Sequence, residues 1–420
     1  MCSTGCLITP TKPILIRFQH CESAMTNEGP LSGIEVVELS IHRAGPFCGA
    51  ILADLGADVV KIERPGMGDP SRNQGPGPAG CSGYFMANNR NKRSVSLDLK
   101  TDSGKEAARK LLAEADVFIE NFGYGVAEKL GLGYETLCEQ NPNIVYASIK
   151  GYGNTGPYKE RPGLDLILQA EGGIMSVTGP EEGKPVKVGQ AIGDLTTGLF
   201  ATIGVLARLY QRTHSNDGFD GSFDVGLFDS IVTLMNEYLT WYSINGHIPG
   251  PQGRSHQTVV PYQLFETADG QVATGVPSDE RWSEFVQLLG VDEIEKFTSN
   301  EHRIENREEI IEILQTRFRT KPTDYWVERI TKHGFPAGPL NDVEDVVHHD
   351  QTRARDLVYE YTNEAGDKYF LPGHPINFPD YNPEMRYPVP RLGEHTGEVF
   401  QEVTNQTEID DWKKDGAFGD

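Results

Sequence analysis

The first half of the chain alternates short strand-like runs with helical segments, and this alternation restricts the possible folds most. Residues 33–40 (GIEVVELS) and 58–65 (DVVKIERP) are short runs rich in β-branched side chains, and residues 43–57 between them carry apolar side chains at helical spacing. The pattern continues with a helix after Thr101, a strand over 116–122, a two-part helix over 126–142 and a strand from 144. It predicts parallel β-α-β units, hence a doubly wound, Rossmann-like α/β domain.

The second half has a different organisation. Residues 192–213 predict a long apolar helix, and residues 222–246 predict a strand that turns into another strand. Residues 261–276 predict a hairpin with its turn at Asp269-Gly270, and amphipathic helices follow it. The predicted division of the chain is a disordered tail over 1–28, a large α/β domain over 29–225, a linker over 226–255, a smaller α+β domain over 256–340, and a proline-rich segment over 341–420 that returns to the large domain.

Composition excludes several classes of function. The chain has 420 residues, 38% of them hydrophobic, and a formal net charge of −23, which disfavours binding to nucleic acid or to an anionic membrane. No apolar run is expected to reach the length of a membrane span, and the N-terminus does not resemble a signal peptide. Cys2, Cys6 and Cys21 fall in the tail and the other cysteines are scattered, which favours free thiols in a cytoplasmic protein.

Residues 144–158 (IVYASIKGYGNTGPY) contain a GxGxxG pattern after a strand, which suggests a dinucleotide site. In such a site the last glycine opens a helix whose amides bind the pyrophosphate. Here Gly156 is followed by Pro157, and Pro162 and Gly163 come soon after, so no regular helix can begin. The pattern is interpreted as a loop over another ligand.

Asp194 is the most distinctive polar residue, because it stands alone between Gly193 and a long apolar helix. A carboxylate there is either a plain helix cap or a nucleophile. Basic and amide side chains also follow several strands, where open α/β sheets bind ligands, and together they suggest a polyanionic ligand. They are His42, Arg43, Lys61, Arg64, Asn91, Lys92, Arg93, Asn121 and Lys150.

Several motifs occur along this chain in the same order as along the members of a known family. They are PLSGIEVVELS, LADLGADVVKIERPGMGD, NRNKRSVSLDLK, ENFGYGVAEKLGLGYE, NIVYASIKGYGNTGPY, AIGDLTTG, PYQLFETADG and LGEHT. From Leu31 to about Val403 the chain resembles the family III CoA-transferases, also called the CaiB/BaiF family, which includes formyl-CoA:oxalate CoA-transferase and the α-methylacyl-CoA racemases. The resemblance implies an interlocked homodimer, a CoA thioester as substrate, and no permanently bound metal or redox cofactor.

The resemblance also implies roles for individual residues. Asp194 matches the catalytic aspartate, which forms an aspartyl-acyl anhydride and then an aspartyl-CoA thioester. The loop 162–165 faces the thioester, and the backbone amides of 163–165 and those near Gly193 are candidate oxyanion donors. The positions that match CoA contacts are Arg43, Ala44, Arg64, Leu97, Lys100, Asn121, Phe122, Gly123, Lys129 and Asp165.

Two differences from the motifs of this family restrict the reaction and the substrate that we expect. Racemases of this family carry a histidine where this chain has Leu164, and leucine cannot exchange a proton, so transfer is favoured over racemisation. Arg43 replaces a glutamine of the oxalate enzyme, and the glycine-rich flap of that enzyme is missing, so oxalate is not the expected substrate. Arg43, with Arg254, His256 or His42, is suited to a second carboxylate, which favours succinyl-CoA as donor and a dicarboxylate such as mesaconate or citramalate as acceptor. A racemase and a non-catalytic carrier of CoA esters remain the alternatives.

Overall fold

In a computed structural model of the chain, residues 28–214, 219–276, 278–292, 295–363 and 365–419 are described. The predicted tail, with Cys2, Cys6 and Cys21, lies outside these residues except for Glu28. The strands are β1 Glu35–Leu39, β2 Asp58–Glu63, β3 Lys92–Ser96, β4 Val117–Glu120, β5 Val145–Lys150, β6 Ser222–Gly226, β7 Tyr262–Glu266, β8 Gln271–Gly275, β9 Ala337–Pro339, β10 Val358–Thr362 and β11 Lys368–Pro372. The helices of the large domain are α1 Ala44–Asp54, α2 Gly83–Asn89, α3 Asp102–Glu114, α4 Val126–Lys129, α5 Tyr134–Gln140, α6 Asp165–Glu171, α7 Ile192–His214, α8 Leu227–Leu234 and α9 Asn236–Asn245. Those that follow are α10 Trp282–Leu289, α11 Asn300–Glu305, α12 Arg307–Phe318, α13 Thr323–Lys332, α14 Val343–His348, α15 Asp350–Ala354, α16 Thr396–Val403 and α17 Gln406–Lys414.

The large domain is built on a six-stranded sheet of order β3-β2-β1-β4-β5-β6, in which every neighbouring pair is parallel. The strand order reverses between β1 and β4, so the loops after these two strands diverge and leave a crevice at the carboxyl edge of the sheet. The sequence prediction of a doubly wound α/β domain is confirmed by this topology.

Helices cover both faces of this sheet, because its central strands are apolar on both sides. On one face α1 and α7 pack through Leu52 and Val205. On the other face α3, α16 and α17 pack through Leu111, Phe400 and Trp412. Thr101 caps α3 by accepting a hydrogen bond from the Gly104 amide at 2.9 Å, as the sequence indicates.

The prediction of a second strand within 222–246 is wrong. Only β6 is extended, and α8 and α9 follow it directly, so the predicted linker over 226–255 does not describe residues 227–245. The apolar and β-branched side chains of 227–235 are compatible with either structure, but Leu227 and Ile231 are buried at helical spacing against the large domain. The periodicity of this segment fits both a strand and a helix, and packing therefore determines that it is helical.

The small domain combines an antiparallel sheet of order β7-β8-β9 with helices α10 to α13 around a separate apolar core. The predicted hairpin is present as β7 and β8. After the β10–β11 hairpin, the C-terminal segment contacts the edge strand β3 and the loop that follows it. The His395 amide donates to the Ser94 carbonyl oxygen at 2.9 Å, and the Asp98 amide donates to the Ala417 carbonyl oxygen at 2.7 Å.

Helix α7 corrects one expectation. It is 23 residues long with a mean hydropathy of 1.3 over its most apolar window, so by length and composition it passes as a membrane span, contrary to the prediction that no apolar run would do so. The core helix of a soluble protein has the same composition, and α7 packs on α1 and on the sheet.

Candidate active site

A cleft of about 730 Å³ lies at the carboxyl edge of the parallel sheet, between the loops that follow β1 and β4. The first turn of α7 and the loop before α6 close its floor, and the segment 187–191 forms one wall. This is the position at which the topology of a doubly wound sheet predicts a ligand. Among the residues that line it are His42, Arg43, Ala44, Tyr84, Asn121, Phe122, Gly123, Lys150, Leu164, Asp165, Gln190 and Asp194.

Asp194 lies in the first turn of α7, partly exposed to this cleft. Its backbone is held by a second carboxylate: Asp165 Oδ1 accepts hydrogen bonds from the Gly193 amide at 2.8 Å and from the Asp194 amide at 3.4 Å. A side chain at position 193 would be crowded, because an added Cβ would lie 3.0 Å from Asp165 Oδ1 and 3.4 Å from Ile231. The glycine before Asp194 therefore permits the close approach of Asp165.

Burial and the neighbouring Asp165 carboxylate raise the pKa of Asp194 from 3.8 to about 6, while Arg43 acts in the opposite direction. Among the described residues, no hydrogen-bond donor or ion-pair partner is found for the Asp194 side-chain oxygens. A carboxylate with this surplus of negative charge and few contacts is desolvated and free to react, which fits a nucleophile better than a helix cap.

Arg43 is fixed beside this carboxylate by side chains from two other elements. Its Nη1 donates to Gln190 Oε1 at 3.1 Å, and its guanidinium carbon lies 4.3 Å from the centre of the Tyr84 ring. Its Nε is buried without a hydrogen-bond acceptor. A positioned guanidinium with an unsatisfied donor next to a reactive carboxylate is suited to bind an anionic group of a ligand.

The comparisons with known proteins agree with this geometry. The family model for CoA-transferase family III matches residues 31–396. Human succinyl-CoA:glutarate CoA-transferase is 36% identical over 386 residues, which cover 91% of this chain and 88% of the relative. The chain belongs to CoA-transferase family III.

Two further relatives extend this result. Succinyl-CoA:mesaconate CoA-transferase of Haloarcula hispanica is 35% identical over 399 residues, which cover 91% of this chain and 100% of the relative. The crystal structure of a CaiB/BaiF family protein from Brucella suis superimposes with a TM-score of 0.80 at 36% identity, and covers 90% of this chain and 100% of that one. The chain is thus an enzyme of the CoA-transferase class with the fold of its family.

The cleft brings together most of the residues that the resemblance assigned. Asp194 and six of the expected CoA contacts line it, namely Arg43, Ala44, Asn121, Phe122, Gly123 and Asp165. The other four do not line it: Arg64, Lys100 and Lys129 are exposed outside it, and Leu97 is 1% exposed in the core. Arg64 follows β2 and Lys100 follows β3, on the same edge of the sheet as the cleft. A role for them in binding a ligand that extends from the cleft stays a prediction.

Four of the basic residues that were predicted to bind a polyanionic ligand instead form ion pairs with carboxylates of the protein. Lys61 and Lys92 are fully buried and both pair with Glu38, at 2.8 Å and 2.7 Å. Arg93 pairs with Asp58 and Glu402, and the Lys150 ammonium contacts both Glu120 oxygens and the Phe122 carbonyl. Because an ammonium has three donors, Lys150 is satisfied even though it lines the cleft.

The structure also changes the predicted oxyanion donors and the residues predicted to assist Arg43. The Gly193 amide donates to Asp165 and is not available as an oxyanion donor, which leaves the amides of the 163–165 loop as candidates. Arg254 and His256 do not line this cleft, so of the residues proposed to assist Arg43 only His42 does.

Sequence reasoning missed several residues of the cleft. Tyr84 and Gln190 hold Arg43, and Lys159, Arg161 and Lys187 add positive charge at the wall. The dense charge of Lys159-Glu160-Arg161 after the glycine loop was the available signal for part of this set.

Proposed function

We propose that the chain transfers CoA from succinyl-CoA to a small dicarboxylic acid, with Asp194 as the covalent carrier. The observation that carries the proposal is the poorly solvated Asp194 carboxylate at the floor of the cleft, next to the guanidinium of Arg43. The relatives named for glutarate and mesaconate support a dicarboxylate acceptor, and mesaconate, citramalate and glutarate are the acids to test first.

The proposed reaction has four steps. The Asp194 carboxylate attacks the thioester carbonyl of succinyl-CoA, the C–S bond breaks, and an aspartyl-succinyl anhydride forms as the thiolate leaves. The thiolate attacks the aspartyl carbonyl of this anhydride, which releases succinate and forms an aspartyl-CoA thioester. The acceptor carboxylate attacks that thioester to give a second anhydride, and the thiolate then attacks the acceptor carbonyl and restores Asp194. Exclusion of water and fixed orientation matter throughout, because a carboxylate is a weak nucleophile in water.

Arg43 is proposed to bind the second carboxylate of the donor and of the acceptor. Its alignment by Gln190 and Tyr84 leaves donors for a charge-assisted hydrogen bond without a rearrangement of the cleft. Leu164, 68% exposed at the cleft, has an alkyl side chain that cannot exchange a proton, which disfavours racemisation.

We further propose a cytoplasmic homodimer that needs no metal or redox cofactor and binds neither membranes nor nucleic acid. Helix α7 exposes Leu199, Ile203 and Tyr210 in the single chain, with Ile203 59% exposed, and no residue of α9 is buried. Apolar helix faces of this kind usually pack against another surface, and a second copy of the chain is the proposed partner.

The test is an incubation of the purified protein with succinyl-CoA and a panel of acids: glutarate, mesaconate, citramalate, malate, itaconate, oxalate and carnitine. Mass spectrometry follows the CoA esters, and Asp194→Ala is the matched control. A dicarboxyl-CoA product that depends on Asp194 supports the proposal. If the protein binds CoA esters but no acid accepts CoA, the carrier interpretation replaces it.

A further inference from the structure

His42, directly before Arg43, has an unusual backbone conformation. Its φ is +64°, in the left-handed region that residues other than glycine seldom adopt, with asparagine, aspartate and histidine the commonest exceptions. A residue other than glycine keeps such a conformation only where the surrounding contacts enforce it. The turn that presents Arg43 to the cleft is therefore strained, and something must hold it.

Side chains from three directions hold this turn. The Asn121 side chain bonds both polar groups of the Ile41 backbone: its Oδ1 accepts from the amide at 2.9 Å, and its Nδ2 donates to the carbonyl at 2.7 Å. Asp69 Oδ1 accepts from the amide of His42 itself at 3.1 Å, and Lys61 Nζ donates to the Ser40 carbonyl at 2.7 Å. The backbone from Ser40 to His42 is thus fixed by side chains rather than by regular secondary structure.

These contacts continue into a buried set of charges below the turn. Lys61 lies 2.8 Å from Glu38 and 3.1 Å from Asp69, and the side chains of all three are 0% exposed. Buried ion pairs contribute little net stability, because desolvation offsets the attraction between the charges. Asp69 does not line the cleft and is almost completely buried, so it cannot contact a substrate there.

We propose that Asp69 is a positioning residue for substrate selectivity: its bond to the His42 amide holds the strained turn, and the turn fixes the guanidinium of Arg43 next to Asp194. The inference rests on the proposed function, because Arg43 is assigned there to the second carboxylate of the acid. It explains why a fully buried carboxylate outside the cleft is linked, through one backbone amide, to the residue that binds the ligand.

The test compares a dicarboxylate with a monocarboxylate acceptor of equal length, glutarate against valerate, in a double-mutant cycle of Asp69→Ala and Arg43→Gln. Alanine removes the oxygen that accepts from the His42 amide, which asparagine would keep. If Asp69 acts through Arg43, D69A lowers the ratio of kcat/KM for glutarate to that for valerate by roughly 10-fold to 100-fold, since misplacement of a binding group by about 1 Å has effects of this size. In the R43Q background D69A should change the ratio less than about twofold. An equal loss for both acids, or the same loss in both backgrounds, would show a purely structural role and overturn the proposal.

A second variant covers the case in which D69A does not fold. His42→Val disfavours the turn without altering the buried charges, because β-branched residues rarely adopt a positive φ. His42→Gly is its matched control, because it removes the same imidazole and glycine adopts this φ without strain. The selectivity should fall further in H42V than in H42G. Equal ratios in the two variants would contradict the role of the strained turn.

A structural readout separates the failure of this inference from the failure of the proposed function. If the wild-type protein transfers CoA to no acid, the proposed function is wrong, but crystal structures of the wild type and of D69A, or of H42V if D69A does not fold, still decide the positioning role. Loss of the Arg43–Gln190 contact in the variant supports it. An unchanged turn and an unchanged Arg43 overturn it.

Discussion

Replacement of Asp194 by asparagine should stabilise the folded protein while it abolishes transfer. Burial and Asp165 raise the pKa of Asp194 from 3.8 to about 6, so the folded state holds the proton more tightly than the unfolded state does. Each pKa unit corresponds to about 1.4 kcal/mol, so ionised Asp194 costs the folded state up to about 3 kcal/mol at pH 8. Asparagine has a similar shape and no charge, and therefore removes this cost.

The direction of the predicted change in stability depends on pH. Because the folded pKa is the higher one, the wild type loses stability as the pH rises from about 4 through about 6, and above that the loss is complete. The stability difference between Asp194→Asn and the wild type should be largest at pH 8, fall to about half at pH 5, and nearly vanish below pH 4.

The assay is denaturant unfolding of both proteins, without substrate, at pH 8 and pH 5. Asp380→Asn is the control, because Asp380 is an exposed residue of the extended C-terminal segment and its replacement should change stability at neither pH. If D194N is less stable than the wild type at pH 8, or if its advantage is the same at both pH values, the assignment of Asp194 as a desolvated carboxylate is wrong.

Further predictions concern the cleft and the exposed helix face. Asp165→Asn should lower the pKa of Asp194 and move the acidic limb of the kcat/KM profile to lower pH, whereas Arg43→Gln should move it to higher pH. R43Q should also raise KM for glutarate by roughly 10-fold to 100-fold, the range for a lost charge-assisted hydrogen bond, with KM for a monocarboxylate as the control. Gln169→Leu should reduce stability by about 1–3 kcal/mol in denaturant unfolding, since Gln169 is fully buried and bonds both Asp165 and the Val188 amide. Ile203→Glu should shift the protein from dimer to monomer in sedimentation, and a variant that remains dimeric would place the interface elsewhere.

The parallel sheet could be predicted because its strands are short, β-branched and separated by helices of clear periodicity. Helices α8 and α9 could not, because the apolar side chains of residues 227–245 fit both a strand and a helix. Burial of Leu227 and Ile231 against the rest of the large domain selects the helix for α8. Where the apolar side chains follow a single period, the local sequence determines whether a strand or a helix forms. Where their spacing fits both periods, tertiary packing determines it.

Residue types and positions alone predicted Asp194 and, among the polar groups at strand ends, Arg43 and Asn121, whereas Asp165 was predicted only by the family resemblance. Asp194 stands out because it is a lone carboxylate at the start of an apolar helix. The groups that tune it lie far away in the chain: Asp165 is 29 positions from Asp194, and Gln190 is 147 positions from Arg43. The same limit explains the lysines assigned to a ligand, since their partners Glu38 and Glu120 lie on other strands of the sheet.

The most direct measurement for the central claim is detection of CoA covalently bound to Asp194. The protein is mixed with succinyl-CoA without an acceptor acid, quenched in acid, digested and analysed by mass spectrometry, with Asp194→Asn treated in parallel. The account predicts CoA on the peptide that contains Asp194, its disappearance when glutarate is added before the quench, and no adduct in the variant. An active enzyme in which no adduct forms, or in which CoA is attached to another residue, would contradict Asp194 as the carrier.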